Sequence, residues 1–151
     1  MLVDQTAATY PDYHVPSGAD LENKHWTAHP DGTMLPYAVW GDFDGNSALD
    51  VAIVLMKGET GRIEFFLQQP SGQYTAFHFG PGNETWGNAG YMRLLTKGEA
   101  QEFYTCSGDG TDPHHLAFDH DVVVFTDWQV FRSIYRWNGV DISRDDEVEC
   151  D

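Results

Sequence analysis

The sequence has 151 residues, which suits one domain able to bury a hydrophobic core without staples. Its formal charge of −16, from 8 Lys+Arg against 24 Asp+Glu, argues against nucleic-acid phosphates and anionic lipid as partners, since both need cationic side chains. A composition 41% hydrophobic and 14% aromatic argues against disorder; a basic protein partner or a divalent cation fits the charge better.

Residues 1–16 are polar, carry Pro11 and Pro16, and read as an extended N-terminal arm. The start, Met1-Leu2-Val3-Asp4-Gln5, shows no basic and then apolar leader, and no apolar run reaches membrane-helix length. Residues 17–151 read as a single β-rich domain. Ser17 is a candidate cap for one short helix over Ser17–Trp26. From Tyr37 the alternation of strands takes over. Tyr37–Trp40 is a short strand, and Asp50–Met56 is a nearly continuous apolar run that reads as a central strand. Arg62–Gln69 and Gln73–Phe79 flank Pro70-Ser71-Gly72 and form a β-hairpin. The glycine-rich stretch 80–90 reads as a long functional loop. Further strands follow at Tyr91–Thr96, Glu102–Cys106, Asp121–Thr126 and Val130–Trp137. Asn138-Gly139 is a turn signal before a return strand at Val140–Ser143, and DDEVE at 145–149 reads as an acidic tail. The fold expected is mainly β: an antiparallel β-sandwich or strongly twisted sheet with one short N-terminal helix.

The sharpest chemical feature lies between the first two strands. In Asp42-Phe43-Asp44-Gly45-Asn46-Ser47-Ala48-Leu49-Asp50, side-chain oxygens stand at Asp42, Asp44, Asn46 and Asp50, and Ala48 offers a backbone carbonyl. Several oxygens on one tight loop, at about 2.3–2.6 Å from the ion, are what a hard cation needs, and calcium tolerates an irregular cage better than magnesium. One calcium ion is therefore expected, held by Asp42, Asp44, Asn46, Ala48 and Asp50. The EF-hand variant does not apply: strands flank the loop, and Ile53 stands where the bidentate glutamate belongs. Ser47 occupies the position usually given to glycine for the sharp turn, where a β-carbon costs about 1 kcal/mol.

The segment GDFDGNSALDVAIVL, residues 41–55, resembles the calcium loops of FG-GAP/VCBS-type proteins. The closing segment SIYRWNGVDI, residues 133–142, resembles the strand–turn–strand ending of small exported proteobacterial proteins that carry one such loop. Some of these are periplasmic immunity proteins that neutralise peptidoglycan-degrading effectors of secretion systems and are similar in fold to I-type lysozyme inhibitors. The resemblance implies a non-enzymatic, periplasmic or secreted inhibitor that occludes the cleft of a basic, lysozyme-like or amidase effector. Ser71-Gly72-Gln73-Tyr74 resembles the S-G-x-Y inhibitory loop of those inhibitors. A rigid tip there would bring the Ser71 and Tyr74 hydroxyls to catalytic carboxyls, although Pro-Ser-Gly is also ordinary turn chemistry.

Trp86 and Tyr91 serve either as aromatic anchors of an interface or as core residues. Cys106 and Cys150 admit either a disulfide in an oxidising compartment or two separate thiols. The stretch Asp112–Asp121 is rich in nitrogen and oxygen ligands but lacks zinc-site spacing and reads first as a solvated loop. No nucleophile elbow, P-loop or dinucleotide motif is present. Two other classes stay open: a calcium-dependent adhesion or carbohydrate-binding module, and an enzyme of unknown class.

Overall fold

The computed structural model describes residues 9–16, 37–58, 60–78, 90–97, 105–106, 113–114, 118–127 and 131–149. Ten strands lie within them: β1 (Ala38–Gly41), β2 (Asp50–Lys57), β3 (Thr60–Gln68), β4 (Tyr74–His78), β5 (Gly90–Leu95), β6 (Thr105–Cys106), β7 (Pro113–His114), β8 (Val122–Asp127), β9 (Phe131–Trp137) and β10 (Ile142–Glu149). They form two antiparallel sheets, one in the order β1-β2-β3-β4 and one in the order β5-β8-β9-β10-β6-β7. The expected helix over 17–26 lies outside the described residues, as do Trp86 and Cys150. The question of a Cys106–Cys150 disulfide falls with Cys150.

The sheets pack face to face because each strand alternates. Ala52, Val54 and Met56 of β2 and Ile63, Phe65 and Leu67 of β3 meet Met92, Val123, Phe125, Tyr135 and Ile142 of the other sheet in one core. Each large side chain fully buried there contributes about 1.5–3 kcal/mol. Val51 and Leu55, on the opposite face of β2, are buried as well. This two-sided burial explains why Asp50–Met56 reads as a continuous apolar run, and β2 is an inner strand between β1 and β3. Leu95, Val122, Val124 and Ile134 form a second cluster on the outer face of the second sheet.

Two local readings change. The acidic run 145–149 is the second half of β10, in register with β9 (Asp145 opposite Ile134, Val148 opposite Phe131) and with β6 (Val148 opposite Cys106). Backbone ladders on both sides outweigh the weak strand preference of Asp and Glu. The Asn138-Gly139 pair is part of a four-residue loop, since Trp137 pairs with Ile142. Asn138 Oδ1 accepts the N–H groups of Val140 and Asp141, each at 3.0 Å, which delays the return strand to Ile142.

The described part of the arm joins the first sheet. His14 exchanges two backbone hydrogen bonds with Met56, at 2.9 and 2.8 Å, on the edge of β2 past the end of β1. The Arg62 guanidinium lies 4.2 Å from the Tyr10 ring centroid and 4.6 Å from that of Tyr13. Arg62 pairs with Glu64, a fully buried carboxylate, and the Tyr10 hydroxyl donates to Glu64 at 2.8 Å. Burial and the Glu64 carboxylate push the Tyr10 hydroxyl up to about 12, with Arg62 opposing. The folded arm therefore holds this proton more tightly than the unfolded chain, and its docking weakens as pH rises from the ordinary tyrosine value of 10.0 toward about 12. An alkaline absorbance titration is expected to include a late phenolate phase near that value that Tyr10→Phe removes.

Candidate metal centre

The loop that joins β1 to β2 is fixed at both ends by residues of unlike character. Phe43 is buried in the core, with its ring edge-on to Phe65 at 5.7 Å. Asp50 opens β2 and is fully buried. Its Oδ2 accepts the Phe43 N–H at 2.8 Å, which closes the loop on itself. Its Oδ1 accepts the Gln68 N–H at 2.7 Å, which ties the loop to the end of β3. Burial pushes the Asp50 carboxyl above the ordinary aspartate range, and the nearby Asp44 charge adds to the rise. The N–H groups of Gln68 and Phe43 work against it.

Asp42, Asp44 and Asp50 converge, with one carboxylate oxygen of each lying within 4.8 Å of the others. Asp42 Oδ2 accepts the Ser47 N–H at 3.1 Å, whereas Asp42 Oδ1 is buried with no hydrogen-bond partner. A buried carboxylate oxygen without a donor, next to two more carboxylates, is the group a cation satisfies. The donors are all oxygen, so the fit is to a hard ion. Asn46 folds across the loop. Its Oδ1 accepts the Ala48 N–H at 2.7 Å, and its Nδ2 donates to Asp44 at 3.0 Å and to the Gln68 carbonyl at 2.8 Å. Asp42, Asp44 and Asp50 are thus gathered as the spacing implies. The Asn46 side-chain oxygen is taken by the Ala48 N–H, a bond that leaves the Ala48 carbonyl, the group expected to face the ion, uninvolved.

Ser47 takes the left-handed conformation, with φ of 66°, and it is the one non-glycine residue with positive φ among the described residues. Gly45, with φ of 79°, needs its glycine twice over. A β-carbon there would also stand 2.4 Å from Cε1 and Nδ1 of His120. Gly45→Ala is expected to destabilise by about 2 kcal/mol. Ser47→Gly should stabilise by about 0.5 kcal/mol, the relieved strain less the added chain entropy. Urea unfolding midpoints check both.

The second sheet braces the loop through residues that sequence reasoning left in a solvated stretch. Asp121 Oδ2 accepts the Asp42 N–H at 2.9 Å, its Oδ1 accepts the Lys97 N–H at 2.8 Å, and its own N–H donates to the Asp42 carbonyl at 3.1 Å. His120 packs on Gly45. Gly41 makes this approach feasible, since a β-carbon would lie 2.7 Å from Leu94 and 2.9 Å from Asp121. A signal was present: Asp121 stands directly before the apolar run Val122–Phe125, as Asp50 stands before Val51–Met56. Both carboxylates accept two backbone N–H groups across a strand start.

The hairpin tip adjoins the same loop. Gln69 and Gln73 close it with a 2.7 Å backbone bond, Gly72 has φ of 80°, and Ser71 and Gly72 are exposed. Tyr74 is half-buried, and its hydroxyl points back to the Leu49 carbonyl at 3.5 Å, so it buttresses the tip from the loop side. Tyr91 lies in β5, opposite Thr126. Among the described residues no helix is long and apolar enough to cross a membrane. Comparison of the chain with protein-family models, with curated proteins and with solved structures returns no match.

Proposed function

We propose that this chain is a non-enzymatic calcium-binding inhibitor of the immunity-protein kind. In this reading it works in a periplasmic or extracellular space, where it occludes the cleft of a basic, lysozyme-like or amidase cell-wall hydrolase. The observation that carries the reading is the joining of two features separate in sequence. The acidic loop holds the base of the Ser71-Gly72 tip through Asp50 to Gln68, Asn46 to Gln68 and Tyr74 to Leu49. A cation on Asp42, Asp44 and Asp50 would stiffen that base, and a stiff tip loses less entropy when it enters a cleft. The −16 charge favours encounter with a basic enzyme.

The test is calorimetric titration of calcium-loaded and chelator-treated protein into lysozyme-type and amidase-type hydrolases, with lysis assays in parallel. Nanomolar binding that weakens on chelation and with Ser71→Arg, an exposed position, is the expected result. Absence of such binding to both enzyme types defeats the proposal.

A further inference from the structure

His120, which packs on Gly45 of the acidic loop, also lines a cleft of about 340 Å³ between the Phe118–Val122 segment and the β9–β10 turn. Asp119, His120, Arg136, Trp137 and Asn138 line it. The volume is at the small end of ligand pockets, and the lining is mostly polar, unlike a site for an apolar ligand.

The charges narrow the occupant. Arg136 is the one cationic side chain of the lining, apart from the His120 imidazole, and the lining also includes two carboxylates, Asp119 and Asp121. With −16 on the chain, an anion would meet an unfavourable field and no surplus of positive charge. A metal cation is poorly served too. Both Asp121 oxygens accept backbone N–H groups, and Asp119 shares the cleft with a guanidinium. A neutral ligand rich in hydroxyl groups matches the rest. Each hydroxyl both donates and accepts, and the lining holds the Asp119 carboxylate as acceptor, with the Arg136 guanidinium and the Asn138 Nδ2 group as donors, the Asn138 oxygen being taken by its own turn. Trp137 also borders the cleft; it is half-buried, packed against the inter-sheet core and edge-on to Phe77 at 5.0 Å between centroids, so this edge of the cleft is apolar and fixed in place. A pyranose ring has this mixed character, with hydroxyls at its rim and C–H groups on its face.

We infer that the cleft between Asp119 and Asn138 is a saccharide-binding site that takes one end of a neutral sugar chain. The site is separate from the hairpin tip, so it stands or falls independently of hydrolase inhibition.

The experiment is amide and indole chemical-shift mapping of the full ¹⁵N-labelled chain, at constant calcium. The probes are glucose, galactose, mannose and N-acetylglucosamine, each with its β-linked disaccharide, and sodium sulfate as the anion. Sugar concentrations reach about 50 mM, above the millimolar range typical of a few hydrogen bonds. The expected result is saturable shifts at residues 118–122 and 136–139 and at the Trp137 indole, with at least one sugar. Asp119→Asn and Arg136→Ala, both at exposed positions, should each weaken that binding about tenfold while leaving the thermal midpoint unchanged. The inference is overturned by no saturable shift with any sugar, by shifts that map elsewhere, by binding indifferent to both variants, or by a response to sulfate alone.

Discussion

Asp50→Ala is expected to destabilise the metal-free protein by about 3–5 kcal/mol and to abolish any stabilisation by calcium. The carboxylate is fully buried and is the acceptor for the N–H groups of Phe43 and Gln68. An alanine leaves both donors without their partner and removes one of three convergent ligands. Domains of this size are stable by roughly 5–15 kcal/mol, so the loss is a large share of the total. Asp42→Asn separates the two losses. Asp42 Oδ1 has no hydrogen-bond partner, so an amide there should leave the metal-free fold within about 1 kcal/mol of the parent while weakening calcium binding strongly. Urea unfolding with chelator or with calcium distinguishes the variants.

The second large effect is expected far from the acidic loop. Glu64→Ala should cost about 3–5 kcal/mol, because it strands Arg62, whose side chain is only 12% exposed, without its counter-charge. The same change removes the acceptor for the Tyr10 hydroxyl and so loosens the arm. Burial pushes the Glu64 carboxyl above the ordinary glutamate range, and the Tyr10 hydrogen bond, Arg62 and His78 only partly oppose it. The folded state therefore holds this proton more tightly than the unfolded chain. Its contribution to stability rises as pH falls through the raised value toward the ordinary glutamate value of 4.5, and is lost as pH rises back through it. Glu64→Gln, which keeps a side-chain acceptor for Tyr10, should flatten that part of the pH–stability curve. Melting temperatures of parent and variant across the acid range give the comparison.

The legible parts of the sequence were those set by local rules. Alternation and turn residues located the main strands within a few residues, and the two-sided burial of β2 was written in its apolar run. The spacing of Asp42, Asp44 and Asp50 announced their convergence, and the special backbone at Ser47 followed from the turn that such a loop makes. What escaped was set by long-range pairing. No local pattern tells that Glu64, on a strand otherwise rich in apolar residues, turns to an arm tyrosine 54 positions earlier. Asp121's place before an apolar run marks it as a carboxylate at a strand start, but nothing local names Asp42, 79 positions away, as its partner. The acidic half of β10 escaped for the same reason, since its neighbours β9 and β6 supply a ladder that its own residues do not favour. Tyr74 sits where the S-G-x-Y pattern places it, but only the fold turns its hydroxyl toward Leu49.

The proposed calcium ion would join Asp42, Asp44 and Asp50 and stiffen the sandwich at the base of the hairpin tip. The most direct test is the melting temperature of chelator-stripped protein as calcium is added back. At about one hundred times the dissociation constant, binding to the folded state alone adds about 2.7 kcal/mol, equivalent to a rise of about 5–10 °C in a domain of this size. That rise, saturable and absent in Asp50→Ala and much reduced in Asp42→Asn, is the predicted result. A melting temperature indifferent to calcium in fully stripped protein would contradict the account.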